Sequence, residues 1–159
     1  MASKFDKAHI HAFLLPAALL GGAYGSQYIG GLFPCEMCWW QRYPHFAAVA
    51  ITLVAFGVRN AGFRTVLVAL AALAIASSGL IGGFHAGVEY GYWEGLTACT
   101  ATISGSGDDL LQSIMNAPLL RCDVAPWTLF GISLAGYNFL LSFGGAILIL
   151  AMIWRNKKI

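Results

Sequence analysis

Cys35-Glu36-Met37-Cys38 sets two thiols with two residues between them, and Trp39-Trp40-Gln41-Arg42 follows directly behind. Thiols at this spacing can close on one another or share a metal ion. Only the thiolate is a nucleophile, and an arginine four residues beyond Cys38 is a fixed cation on the same helical face, of the kind that lowers a thiol pKa. Two more cysteines, Cys99 and Cys122, stand far downstream. Four cysteines allow three pairings. Cys35 with Cys38 and Cys99 with Cys122 is the pairing favoured here, because a CxxC is locally closable and the other two flank one long loop. A zinc site made of four cysteines is the competing use of a CxxC, yet Cys99 and Cys122 form no second knuckle of that kind, so no metal is expected. Disulfides that only staple the fold are the remaining use.

The rest of the chain decides where these thiols sit. Of 159 residues, 58% are hydrophobic and 10% charged, against about 25% charged in an average soluble domain. The composition is that of one integral membrane domain spanning residues 1–159, and a net charge of +2 offers no basic face for nucleic acid. Residues 8–35, 43–58, 65–88 and 124–154 are free of Asp, Glu, Lys and Arg. A span needs about 20 residues to cross about 30 Å of hydrocarbon. The expected fold is therefore all-α, an antiparallel four-helix transmembrane bundle with spans at about 10–33, 39–58, 65–88 and 126–154.

Lys4, Lys7, Arg59, Arg64, Arg155, Lys157 and Lys158 flank the ends that share one side if all four segments span. By the positive-inside rule that side is the cytoplasm, so both termini are expected there. The other side receives short loop 34–38 and long loop 89–125, and with them all four cysteines. Outward thiols fit an oxidising compartment, in a bacterium the periplasm. A cleaved signal peptide is the alternative reading of the first span, but its apolar run continues to Phe33, longer than a typical signal segment.

Within the long loop, Ser104-Gly105-Ser106-Gly107 reads as a hinge leading into residues 108–117. Leu110, Leu111, Ile114 and Met115 share a face there, predicting a short amphipathic helix that packs on the bundle or lies on the outer leaflet. Small residues at Gly21 and Gly25, and at Gly79, Gly83, Gly87 and Gly91, are spaced for close helix approach.

Counting span two back from Val58 places its outer end near Trp39, with Arg42 about one turn inside, where a cation needs a partner or snorkels to the headgroups. Cys38 is the expected partner. Pro44 lacks the N–H that would bond Trp40 and predicts a kink or a helix start at that point. His45 and His85 fall near the outer ends of spans two and three, which leaves open a b-type haem between them. His9 and His11 are expected at the opposite interface.

Pro34-Cys35-Glu36-Met37-Cys38-Trp39-Trp40-Gln41-Arg42, then Cys99, then Cys122 with Pro126-Trp127 and residues 130–138 (FGISLAGYN), resembles the disulfide bond formation protein B (DsbB) family over nearly the whole chain. The vitamin K epoxide reductase family shares the chemistry but carries its CxxC after the loop cysteines. The resemblance implies a monomeric thiol oxidase of the bacterial inner membrane. It would re-oxidise a periplasmic thioredoxin-like dithiol protein, DsbA, and pass electrons to ubiquinone or menaquinone. It further implies that Cys99 receives the partner's thiolate, that Cys122 then exchanges with Cys35, and that Cys38 passes electrons to the quinone. Arg42 would stabilise thiolate and quinone, and His85 would neighbour the quinone. Glu36 departs from the apolar dipeptides usual in the family. A structural or partner-binding four-helix membrane protein with inert disulfides is the competing reading.

Overall fold

The computed structural model describes residues 4–96 and 121–156. Cys99, the 104–107 hinge and the expected amphipathic helix lie outside the described residues. Four long helices make up most of what is described: α1 Lys4–Tyr28, α2 Glu36–Gly57, α3 Ala61–Glu89 and α4 Leu134–Asn156. α3 and α4 are long and apolar enough to cross a membrane. α2 carries Gln41, Arg42, His45 and Thr52 among its buried residues, and α1 contributes a buried His9, which lowers the mean hydropathy of both.

α3 packs against α2 and α4, and α1 packs against the same two helices with little contact to α3. α1 and α3 therefore stand diagonally opposite in a four-helix arrangement. One end of the bundle is filled by small and branched residues, among them Ala8, Ala12, Ala48, Ala55, Val68, Ala72, Ile75, Ala146 and Ile149. The close approach of α3 to α4 depends on the glycine stripe. A side chain at Gly79 would strike the Phe143 backbone, and one at Gly82 the Ala135 carbonyl. The surface facing away from the bundle is apolar, with Leu14, Leu53, Phe56, Leu70, Leu73, Leu80, Leu141 and Ile147 all exposed. In water so large an apolar surface would aggregate, whereas lipid solvates it.

Several boundaries differ from those expected. α1 stops at Tyr28, because Gly31 adopts a left-handed φ of 67° and the chain turns, the Leu32 N–H closing on the Ser26 carbonyl at 3.0 Å. α2 begins at Glu36 and runs through Pro44, so the proline does not start the helix. α3 starts at Ala61, capped by Asn60, whose side chain accepts from the Phe63 N–H at 2.9 Å. The fourth helix begins eight residues later than expected, at Leu134 instead of residue 126. Residues 126–133 instead hold a short hairpin in which β1 (Thr128–Leu129) pairs antiparallel with β2 (Ile132–Ser133). Phe130 and Gly131 both have positive φ, the backbone that a two-residue hairpin turn requires. His9 is buried rather than interfacial: Nε2 lies 3.0 Å from the Thr52 carbonyl and the ring stacks on Phe56.

Candidate active site

Cys35 is the N-cap of α2 and Cys38 lies in its first turn, so the CxxC winds around a helix N-terminus. The unpaired N–H groups and dipole at that end favour negative charge. The two sulfurs are 3.0 Å apart. The Cys35 thiol donates to Cys38, and this contact together with burial pushes Cys35 up to about 12. The same contact and the Cys35 backbone hold Cys38 below its ordinary value, against burial and the charges of Glu89 and Cys122. Cys38 is thus the first of the pair to ionise, with Cys35 the neighbour that holds its proton longer. Glu36 is exposed on the opposite side of this turn from buried Met37, where an acid suits the helix N-terminus.

Across from the pair, the last turns of α3 present His85 and Glu89. His85 Nε2 lies 3.6 Å from Cys35 Sγ and 3.8 Å from Glu89 Oε1, and both acidic and imidazole side chains are 2% exposed. After the long loop the chain returns to this point, burying Cys122 with Cys35, Met37 and Val88. The Cys35 sulfur, the Cys122 sulfur and a His85 ring nitrogen all lie within 4.8 Å of one another. Among the described residues, such a set falls one ligand short of the closed tetrahedral site of a structural zinc. It does fit thiol exchange, which needs a sulfur poised to attack a neighbouring disulfide.

Polar residues inside otherwise apolar helices hold His85 in place. Gln41 Nε2 donates to the Met37 carbonyl at 3.2 Å and to His85 Nδ1 at 2.8 Å. Asn138 Nδ2 donates to the Ser78 carbonyl at 3.2 Å and to Gln41 Oε1 at 2.8 Å. Two backbone carbonyls thereby fix both amide orientations, so His85 Nδ1 accepts and Nε2 carries the proton of the neutral ring. His45 Nε2 lies 3.0 Å from Asn138 Oδ1, with the Ser78 and Ser142 hydroxyls also in reach, while its Nδ1 has no partner. A haem ligated through His85 Nδ1 or His45 Nε2 would have to break these bonds.

Arg42 is 6% exposed, and its partner differs from the one expected. Nη1 donates to Gln27 Oε1 at 2.7 Å and Nη2 to the Ala23 carbonyl at 3.1 Å, both on α1. The guanidinium sits 4.8 Å from the ring centroids of Tyr24 and Trp39. α1 supplies two neutral acceptors and the Tyr24 ring face, and α2 the Trp39 ring face, which satisfy a buried cation without a counter-charge.

Arg42 and Cys38 nonetheless meet at one cavity of about 260 Å³, lined also by Gln41, His45, His85 and Glu89 and by apolar residues of α1 and α4. Small-molecule sites are mostly apolar with a few placed polar groups and run from roughly 300 Å³ upward. This cavity falls just below that range, and its lining is mostly apolar with a few polar groups. Of the expected site residues, Cys38, Arg42 and His85 line this cavity, and Cys35 and Cys122 gather with His85 in the thiol cluster beside it. Gln27, Gln41, Ser78, Glu89 and Asn138 were not singled out for the site, although a polar residue inside an apolar run is itself a signal.

The model of the family "Disulfide bond formation protein DsbB" matches residues 6–152. A protein of Azoarcus sp. named disulfide bond formation protein B is 32% identical, the match covering 92% of this chain and 90% of the relative. One of the same name from Albidiferax ferrireducens is 30% identical over 92% of this chain and 87% of its own. An uncharacterized protein of Rickettsia prowazekii is 28% identical over 77% of this chain and 73% of its own. No solved structure matches. With a family match over nearly its whole length and a buried thiol cluster at one end of an apolar helical bundle, this chain belongs to the DsbB family of membrane disulfide-bond formation proteins.

Proposed function

We propose that the protein is a thiol:quinone oxidoreductase that re-oxidises a periplasmic thioredoxin-fold dithiol protein of the DsbA type. The observation that carries this reading is the meeting of Cys122 with Cys35 at the CxxC, within 4.8 Å, beside a cavity that Cys38 also lines. Cys35 and Cys38 form the acceptor-facing pair, and Cys99 with Cys122 the partner-facing pair. A partner thiolate attacks Cys99, Cys122 is released and attacks Cys35, and Cys38 leaves as the thiolate; the partner's second thiol then displaces Cys99, which retakes Cys122 and frees Cys35, so the partner leaves oxidised and both CxxC thiols are reduced. The depressed pKa of Cys38 supports that last assignment, because a stable thiolate is the better leaving group.

A quinone bound in the cavity supplies a two-electron, two-proton acceptor. Arg42 and the apolar walls of α1 and α4 would hold its head group, and His85 would flank it. All four helices cross the inner membrane as single domain 1–159, with both termini cytoplasmic and loops 34–38 and 89–125 periplasmic. The apolar outer surface of the bundle supports this placement. The test is reduction of ubiquinone-1 or menaquinone-1 by purified protein given reduced DsbA, followed by quinone absorbance. Turnover that is lost in Cys38→Ser and Cys99→Ser is expected; absence of turnover with either quinone overturns the reading.

A further inference from the structure

Oxidising two thiols with a quinone moves two protons as well as two electrons, and the thiol cluster holds one buried acid that thiol exchange leaves unused. Glu89 stands at the C-terminus of α3 with its side chain 2% exposed and Oε2 without a hydrogen-bond partner. Of the cavities it lines, two also have CxxC thiols in their walls. One is the cavity of about 260 Å³ shared with Arg42 and Cys38. The other is a cleft of about 470 Å³ that Glu89 lines with Cys35, Cys38, His85 and Arg121. A cleft of that size, with the carboxylate, the imidazole and a guanidinium in its wall, has room for water, which can carry a proton between the sulfurs and the carboxylate.

His85 cannot take the proton in its place. The Met37 and Ser78 carbonyls fix Gln41 and Asn138 so that Nδ1 is already an acceptor and Nε2 already carries hydrogen. Its N–H faces Cys35 Sγ at 3.6 Å and Glu89 Oε1 at 3.8 Å, which suits a group that orients both. The free lone pair belongs to Glu89 Oε2.

Resting on the quinone-reductase reading, we propose that Glu89 is the proton carrier between the Cys35 thiol and the quinone oxygen, with His85 as its positioning residue. The Cys35 S–H bond breaks and an O–H bond forms on the Glu89 carboxylate, through water in the cleft. The Cys35 thiolate then closes the disulfide with Cys38, and the two electrons of the pair reduce the quinone. Glu89 gives its proton to one quinone oxygen and returns to the carboxylate. The other oxygen receives from water the proton that Cys38 had lost on ionising. Two thiols and a quinone become a disulfide and a quinol, and Glu89 is unchanged at the end.

Glu89→Gln keeps shape and polarity but cannot accept the proton. We expect kcat for quinone reduction to fall about 100-fold, the scale of one lost acid–base group, with KM for ubiquinone-1 within about twofold. Formate should restore at least a tenth of the lost rate, and Glu89→Asp should retain more than a tenth of wild-type kcat. Infrared difference spectra of the wild type, recorded between reduced and oxidised cysteines without quinone, should contain a shifted carboxylate band that Glu89→Gln lacks, because the ionised Glu89 neighbours the Cys35 thiol in one state and a disulfide in the other. An unchanged kcat in Glu89→Gln, a loss that formate does not rescue, or spectra without that band overturns the proposal. If the wild type reduces no quinone, the functional reading fails, whereas the carboxylate band tests Glu89 independently of turnover.

Discussion

Asn138 of α4 donates to Gln41 of α2 at 2.8 Å, inside a bundle built mostly of apolar residues. Through this bond the α4 amide fixes the α2 amide, and the α2 amide fixes the His85 ring on α3. Asn138 also accepts from the Ser142 hydroxyl at 2.7 Å and lies 3.0 Å from His45 Nε2. Replacing Asn138 with leucine, similar in size, strands several of these groups. Each buried polar group left unsatisfied costs about 1–3 kcal/mol, and Ser78 still serves His45. Asn138→Leu should therefore lose about 2–4 kcal/mol in detergent unfolding titrations. A loss well under 1 kcal/mol would mean the network contributes little.

The helices and their small-residue contacts were legible in the sequence because charge-free runs and glycine spacing report directly on burial and close approach. Gly79 and Gly83 do meet α4, at Phe143 and Phe139. The convergence of Cys122 on Cys35 was named only through family resemblance, because nothing local in a long loop says where its end returns. The hairpin at residues 126–133 was missed since its apolar composition continues that of α4, and only the positive φ at Phe130 and Gly131 separates them. Arg42 is buried and has partners, as expected of a cation in an apolar helix, but they are not the one named. Spacing along α2 names its i−4 neighbour Cys38, whereas Gln27 and Ala23 come from another helix, whose register no single-helix argument can supply.

That geometry makes Arg42 testable against the alternative in which it pairs with the sulfur. Its N–H groups are spent on α1, so Arg42→Met should leave the pH profile of Cys38 alkylation within about threefold in rate, since no cation beside the thiolate is lost. Quinone KM should rise about tenfold, equivalent to about 1.4 kcal/mol, as the cavity wall loses its cation and the Tyr24 and Trp39 rings lose their stacking partner. A shift of Cys38 reactivity to higher pH by a full unit would put the guanidinium on the sulfur after all.

The two CxxC thiols should separate sharply by pH. A thiol reacts above its pKa, so the lowered value of Cys38 extends its reactivity below pH 9.0, the ordinary value, and a Cys35 raised to about 12 stays protonated there. At pH 8, iodoacetamide on the fully reduced protein should modify Cys38 at least about a hundredfold faster than Cys35. The His85 contact lowers Cys35 against the other influences, so His85→Ala should slow Cys35 further and leave the order of the two unchanged. Mass spectrometry of peptides from timed, quenched samples reads both rates. Equal reactivity would remove the assignment of Cys38 as the first of the pair to ionise.

A relay through Cys122 and Cys35 requires those two sulfurs to bond when their usual partners are gone. In Cys38→Ser/Cys99→Ser only Cys35 and Cys122 remain, and sulfurs within 4.8 Å must approach by about 3 Å to reach disulfide distance. Helix α2 holds Cys35 at its N-cap, while Cys122 follows a long loop, so the loop side supplies the movement. The variant should form an intramolecular Cys35–Cys122 disulfide in glutathione buffers, as a chain of unchanged size with both cysteines protected from maleimide. Because the proximity is built into the fold, the bond should outcompete mixed disulfides with glutathione at millimolar concentration. Glutathione adducts on both cysteines, or intermolecular dimers, would show that the two sulfurs do not exchange and that the partner-facing pair must reach the CxxC by another route.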